Sequence, residues 1–225
     1  MIIPLGQFEI TSGKVVVSDP CYELNENTII MGVLDNVRNG TWAAYVHKTE
    51  VRDWGEACAK LIAYHISAAD KPDELEWVKC HFIVGVDSGQ AGIFDSSKYR
   101  LPDSEAQGAD SDTDSAWYLT CCDITDSDEE AGVMDGGAVS HSGFGDGGYA
   151  AYYAADEQNQ IIGVKIIFIK DADLYERNWR QSVRRRYYPM LAADVQVIRS
   201  KPKHNDVLKV NGRYYAFLSC LKFSL

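Results

Sequence analysis

Residues 142–149 read Ser-Gly-Phe-Gly-Asp-Gly-Gly-Tyr, and four glycines around one aspartate give a backbone that adopts φ > 0 almost anywhere along the stretch. This is a loop, shaped for close approach of another backbone or of a ligand. It opens into YAAYYAADEQNQIIGVKIIFI, two strand-like runs split by the turn residues 156–160, so the loop stands at the mouth of a predicted β-hairpin. Ser142, Gly143, Gly145, Asp146, Gly148 and Tyr149 are its candidate ligand-binding residues. Asp146 leads them, because flanking glycines leave it little to pack against.

The remaining pattern is mainly β. Runs at 7–10, 14–18, 29–34 and 42–47, with turn signals at Asp19-Pro20 and Asn39-Gly40, read as an antiparallel meander. Residues 53–67 place Trp54, Cys58, Leu61, Ile62 and His65 at helical spacing, which predicts one amphipathic helix covering a sheet face. Further strands are expected at 79–86, 91–94, 116–122, 149–154 and 161–169. After these come a second helix at 173–186, strands at 195–199, 207–210 and 214–223, and a tight hairpin at Asn211-Gly212. The expected class is α+β, dominated by antiparallel sheet or sandwich with one or two covering helices. One β-rich domain over residues 1–170 is followed by a C-terminal extension, 171–225, of basic helix and hairpin packed on it.

Four separated motifs occur in order: SGKVVVSDPCY from Ser12, GVDSGQAGIFD from Gly85, a Trp-Tyr segment, and SGFGDGGY leading into a run ending IIFI. In this order they resemble the domain of unknown function 4241 family of bacteria, tailed phages and prophages, over roughly residues 10–170. The resemblance implies a cytoplasmic bacterial or phage accessory protein with no established reaction, and it lends no catalytic residue.

The net charge of −11 is unevenly spread. Residues 101–164 hold 14 Asp/Glu and no Lys/Arg, whereas residues 165–225 hold 13 Lys/Arg against 5 Asp/Glu. Residues 103–135 read as solvated acidic loops flanking a strand. A rigid mimic of nucleic acid is the sharper alternative, and the Ser/Asp/Gly-rich composition argues against it. Arg177, Arg180 and Arg184 share one face of the basic helix, beside a line of Trp179, Val183 and Tyr187. They suit a small phosphorylated ligand, or pairing with the acidic block of the same chain or a second copy. Direct nucleic-acid binding is disfavoured at this net charge. No apolar run approaches a membrane span and no basic-then-apolar leader opens the chain, so a cytoplasmic location is expected.

Catalytic constellations are weak. The six cysteines lack CxxC spacing, and the five histidines lack HxxxH or HExxH spacing, which disfavours zinc. Asp110, Asp112 and Asp114 alternate as calcium ligands do, but Ser115 and Cys121 stand where an EF-hand needs Gly and Glu. Cys21 is a candidate thiol with His47 or His81 as base, and Ser140-His141-Ser142 lacks a nucleophile elbow. Asp19, Asp87, Asp95 and Asp146 each stand beside a turn. Two or more of them brought together would bind a divalent metal or serve as acid and base, as in a metal-assisted hydrolase; kept apart, they bond their own turns. The chain is therefore expected to be a non-enzymatic accessory protein that binds a host protein or sequesters a small phosphorylated ligand, with a possible anti-defence role. The hydrolase and the nucleic-acid mimic stand as alternatives, and the cofactor and any bound metal stay open.

Overall fold

Runs of Val, Ile, Phe and Tyr bounded by Gly, Asp and Asn build strands wherever a second sheet lies ready to cover them. The computed structural model describes residues 1–51, 55–69, 72–100 and 116–170, together with two strands at 207–210 and 213–216. The chain divides into two units, Met1–Leu174 and Tyr175–Leu225.

In the first unit the strands are β1 (Ile2–Ile10), β2 (Val15–Ser18), β3 (Gly32–Leu34), β4 (Gly40–Val51), β5 (Gly55–His65), β6 (Val78–Val86) and β7 (Gln90–Asp95). A helix, α1 (Ala116–Thr125), then leads into β8 (Ala131–Met134), β9 (Gly137–His141), β10 (Gly147–Ala155) and β11 (Ile161–Ile167). Six strands form one antiparallel sheet in the order β1-β4-β5-β11-β10-β6, and five form a second in the order β3-β2-β7-β9-β8. The expected meander is corrected by this order: β1 pairs with β4, while β2 pairs with β3 and β7.

The two sheets face each other across one apolar core. Ile10, Trp42, Val46, Leu61, Val84 and Val164 of the six-stranded sheet meet Val15, Val17 and Ile93 of the other. All four residues of β2 are buried, because its odd positions face this core while Val16 faces outward under the helix. Phe94, Val139, Tyr99, Trp117 and Cys121 make the second, outer cluster. A third, of Ala43, Tyr64 and Ile162 with Tyr45 and Leu75, lies on the outer face of the larger sheet.

Two elements differ from expectation. Residues 55–65 form a strand rather than a helix, paired on one side with β4 and on the other with β11. Alanines satisfy either period, and the alternation of buried Ala59, Leu61 and Ala63 with less buried Lys60 and Ile62 settles on two. Conversely, residues 116–125 form a helix rather than a strand. Trp117, Cys121 and Ile124 recur at its spacing and cover Phe94 and Val139, outweighing the strand preference of Trp, Tyr and Thr. Of residues 126–135, read as acidic loop, 126–130 close a tight turn into β8 and 131–134 are that strand. The architecture is thus a β-sandwich with one helix among the described residues. In the second unit, β12 (Val207–Val210) and β13 (Arg213–Ala216) pair antiparallel, as expected. The arginine helix at 173–186 and the strand at 195–199 lie outside the described residues.

Trp42 is fully buried, and its indole N–H donates to the Arg38 carbonyl at 2.9 Å. Trp42→Ala is expected to lower the unfolding free energy by about 3–5 kcal/mol, read from urea denaturation.

Candidate functional site

Three of the four motif loops meet at one end of the sandwich. Asp19 follows β2 in the five-stranded sheet, while Asp87-Ser88-Gly89 links β6 of the larger sheet to β7. The Asp19 side chain is completely buried. One carboxylate oxygen accepts from the backbone N–H groups of Asp87 (2.9 Å) and Ser88 (2.8 Å). The other accepts from the Ser88 hydroxyl (2.6 Å) and the Cys21 N–H (2.8 Å). The glycine-rich loop joins through Ser142, whose N–H donates to the Gly89 carbonyl, and through Gly147, which opposes Val86. Arg100 and Tyr99 fasten the same corner: the guanidinium donates to Pro20 O (2.7 Å) and the Tyr99 hydroxyl to Tyr22 O (2.6 Å). On the solvent side, the Tyr22 hydroxyl donates to the exposed Asp87 carboxylate at 2.6 Å, and this bond holds the phenol above its usual range.

Asp95 stands at the opposite end of β7. One of its oxygens accepts from the backbone and hydroxyl of Thr11 and the backbone of Ser12; the other accepts from the backbone and hydroxyl of Ser97. Burial alone would push this carboxyl up, but the bonds from Ser12, Thr11 and Ser97 outweigh it and hold it at about 2. Asp19 and Asp87 are therefore brought together, Asp95 is not, and Asp146 is exposed at its loop tip. Two of the four aspartates are thus neighbours, and both oxygens of the buried one, Asp19, are taken by four donors of the chain itself. Among the described residues no set of three or more Asp, Glu, His or Cys side chains is placed to hold a metal ion. The calcium-like residues Asp110, Asp112 and Asp114 fall outside the described residues, as do Arg177, Arg180 and Arg184.

The glycine-rich loop is largely held by its own chain. Gly143 has φ 69°, and a Cβ there would lie 2.8 Å from the Cys58 carbonyl oxygen, so close packing against β5 requires glycine. The hydroxyls of Ser142 and Tyr149 both donate to the Gly145 carbonyl, at 2.9 and 2.5 Å. Asp146, Gly147 and Gly148 remain exposed. The thiol candidate is disarmed: burial, then the Asp19 carboxylate, push Cys21 up to about 12, and the charges acting on it are Asp19 and Asp87 rather than an imidazole. Ser140 and Ser142 both spend their hydroxyls on backbone carbonyls. Sequence reasoning missed Tyr22, Ser88, Tyr99 and Arg100, whose partners lie 65–80 residues away.

The family model described as protein of unknown function (DUF4241) matches residues 8–166, which is most of the chain. The chain belongs to that family. In this DUF4241 chain the matched span takes in the whole five-stranded sheet, most of the six-stranded one (β1 only from Phe8), Asp19, Asp87, Asp95 and the glycine-rich loop. Comparison with the curated proteins and with the solved structures finds no match.

Two outcomes test the carboxylate assignments. Asp19→Asn turns a donor toward amides that need an acceptor and is expected to cost about 1.5–3 kcal/mol in urea denaturation at neutral pH. Asp95 has a folded-state value below the unfolded value of about 3.9, so its contribution is present above that pH and is lost as pH falls toward 2. The stability gap between wild type and Asp95→Asn is therefore expected to be full at pH 7 and to shrink below pH 4.

Proposed function

We propose that this DUF4241 chain is a non-enzymatic accessory protein that docks a partner protein on the motif end of the sandwich. The setting implied by the family resemblance is a bacterial cell or its phages, with a host protein as target and an anti-defence role. The observation that carries the reading is an apolar surface at that corner. Ile29 is 73 % exposed and Ile83 is 42 % exposed, and the two segments are joined by the Ile83 N–H donating to the Ile29 carbonyl at 3.0 Å. Gly148 lies alongside, where a Cβ would come within 3.2 Å of the Ile83 side chain.

Asp146 lies two residues before Gly148, and Asp87, bonded by Tyr22, follows Val86, which opposes Gly147. An apolar centre with a polar, aromatic and charged rim is the anatomy of a protein interface. The carboxylates of the rim select a partner that offers cationic side chains. Rigidity supports the same reading, since a loop fixed by Asp19, Ser142 and Tyr149 loses little conformational entropy on binding. No helix among the described residues is long and apolar enough to cross a membrane.

Native mass spectrometry of the gently purified protein tests this. A second polypeptide retained by wild type is expected to be lost from Ile83→Asp and from Asp146→Ala, with the melting temperature of Asp146→Ala nearly unchanged. A bare wild-type species, or equal retention by both variants, would sink the docking reading. A metal adduct would instead revive the hydrolase.

A further inference from the structure

The outer face of the six-stranded sheet carries a second feature, distinct from the motif corner. Lys79 of β6 opposes Tyr152 of β10, Tyr152 opposes Lys165 of β11, and Lys165 opposes Ile62 of β5. On the neighbouring row Lys60 opposes both His47 of β4 and Ile167 of β11. All these side chains sit on one face, because their neighbours along each strand (Cys80, Ala151, Ile166, Leu61 and Val46) point into the core. Three lysines and a histidine thus share a small area.

Lys60 and Lys165 stand diagonally on β5 and β11, and like charges that share one sheet face repel. No carboxylate among the described residues pairs with Lys60, Lys79 or Lys165, although the chain has 33 acids against 22 lysines and arginines. Asp73 borders the patch and acts on Tyr64. The crowding is felt: burial and then Lys60 push Lys165 down, and burial followed by charges that include Lys60 and Lys165 push His47 down. Aromatic rings hold the centre in place. The Lys165 ammonium lies 4.0 Å from the Trp77 ring centroid and 5.5 Å from that of Tyr152, while Tyr45 stacks on Tyr64 at 5.1 Å.

We infer that this face binds a small molecule carrying two or more linked phosphates, held by Lys60, Lys79 and Lys165. Charge complementarity supplies the attraction, since a polyanion replaces the mutual repulsion of the lysines with shared hydrogen bonds. Size limits the ligand. Strands stand about 4.8 Å apart, so Lys79 and Lys165, two strands apart, span about 10 Å of backbone, a distance that a short phosphate chain bridges. A long nucleic-acid strand would run off the patch onto a chain of net charge −11 and meet repulsion. The inference does not rest on partner docking at Ile29 and Ile83.

Isothermal titration with inorganic tripolyphosphate and with adenosine triphosphate tests it, alongside adenosine and a twenty-nucleotide single strand. Binding of tripolyphosphate is expected, weakening with salt, with no binding of adenosine. Lys60→Met and Lys165→Met keep the apolar stems and are expected to weaken tripolyphosphate at least tenfold, while Ile83→Asp leaves it unchanged. Without ligand, Lys60→Met is expected to melt no lower than wild type, because it relieves repulsion; a structural lysine would melt lower. Absence of tripolyphosphate binding at millimolar concentration, unchanged affinity in the methionine variants, or tighter binding of the single strand than of adenosine triphosphate would each overturn the inference.

Discussion

The Asp19 carboxylate is the tie on which the sandwich end depends. It has left water completely, and it is tolerable there because four donors converge on its two oxygens. Two of those donors are backbone amides of the connection between the sheets, so one side chain fixes how β6 of one layer passes into β7 of the other. Asp95 plays the same part at the far end of the β2–β7 pair, gathering Thr11, Ser12 and Ser97. The family motifs are therefore mostly about construction. Their polar residues close turns, and only what the closed turns leave outside is free to meet a partner.

That division explains why the reading of aspartates as turn-bonding residues was accessible from sequence while their partners were not. An Asp before Pro announces a local bond, which Asp19 makes with the Cys21 N–H; that Asp19 would also reach residues 87 and 88 depends on strand order, which no local pattern encodes. Strands with clear punctuation were legible, among them the β10–β11 hairpin around Asp156 and the β12–β13 hairpin. The two reversed elements share a physical cause. Ala57, Ala59 and Ala63 are apolar on either period, and only pairing with β4 and β11 decides for a strand. In residues 116–125 the aromatic residues favour a strand locally, but the outer face carrying Phe94 and Val139 needs a cover, and a helix supplies it.

The charge pattern was legible only in one dimension. Counting along the chain shows an acidic middle and a basic tail, whereas the sheet assembles Lys60, Lys79 and Lys165 from three separate strands. Each of the three stands as a single cation inside an apolar run, ACAKLIAY, VKCHFIVGV and IIGVKIIFI, where a solvent-facing position is due. The acid excess and the cationic sheet face coexist because strand alternation sorts side chains by layer irrespective of regional composition.

The same strand order sets the tempo of folding. β2 lies near the N-terminus, yet it is complete only when β7 arrives some seventy residues later, and its flanking residue Thr11 bonds Asp95 across a separation of 84. During synthesis the apolar VVVS segment and the Asp19 carboxylate must wait in the emerging chain without partners. Such non-local pairing makes a slow folder, exposed to aggregation until the second half of the sandwich has left the ribosome.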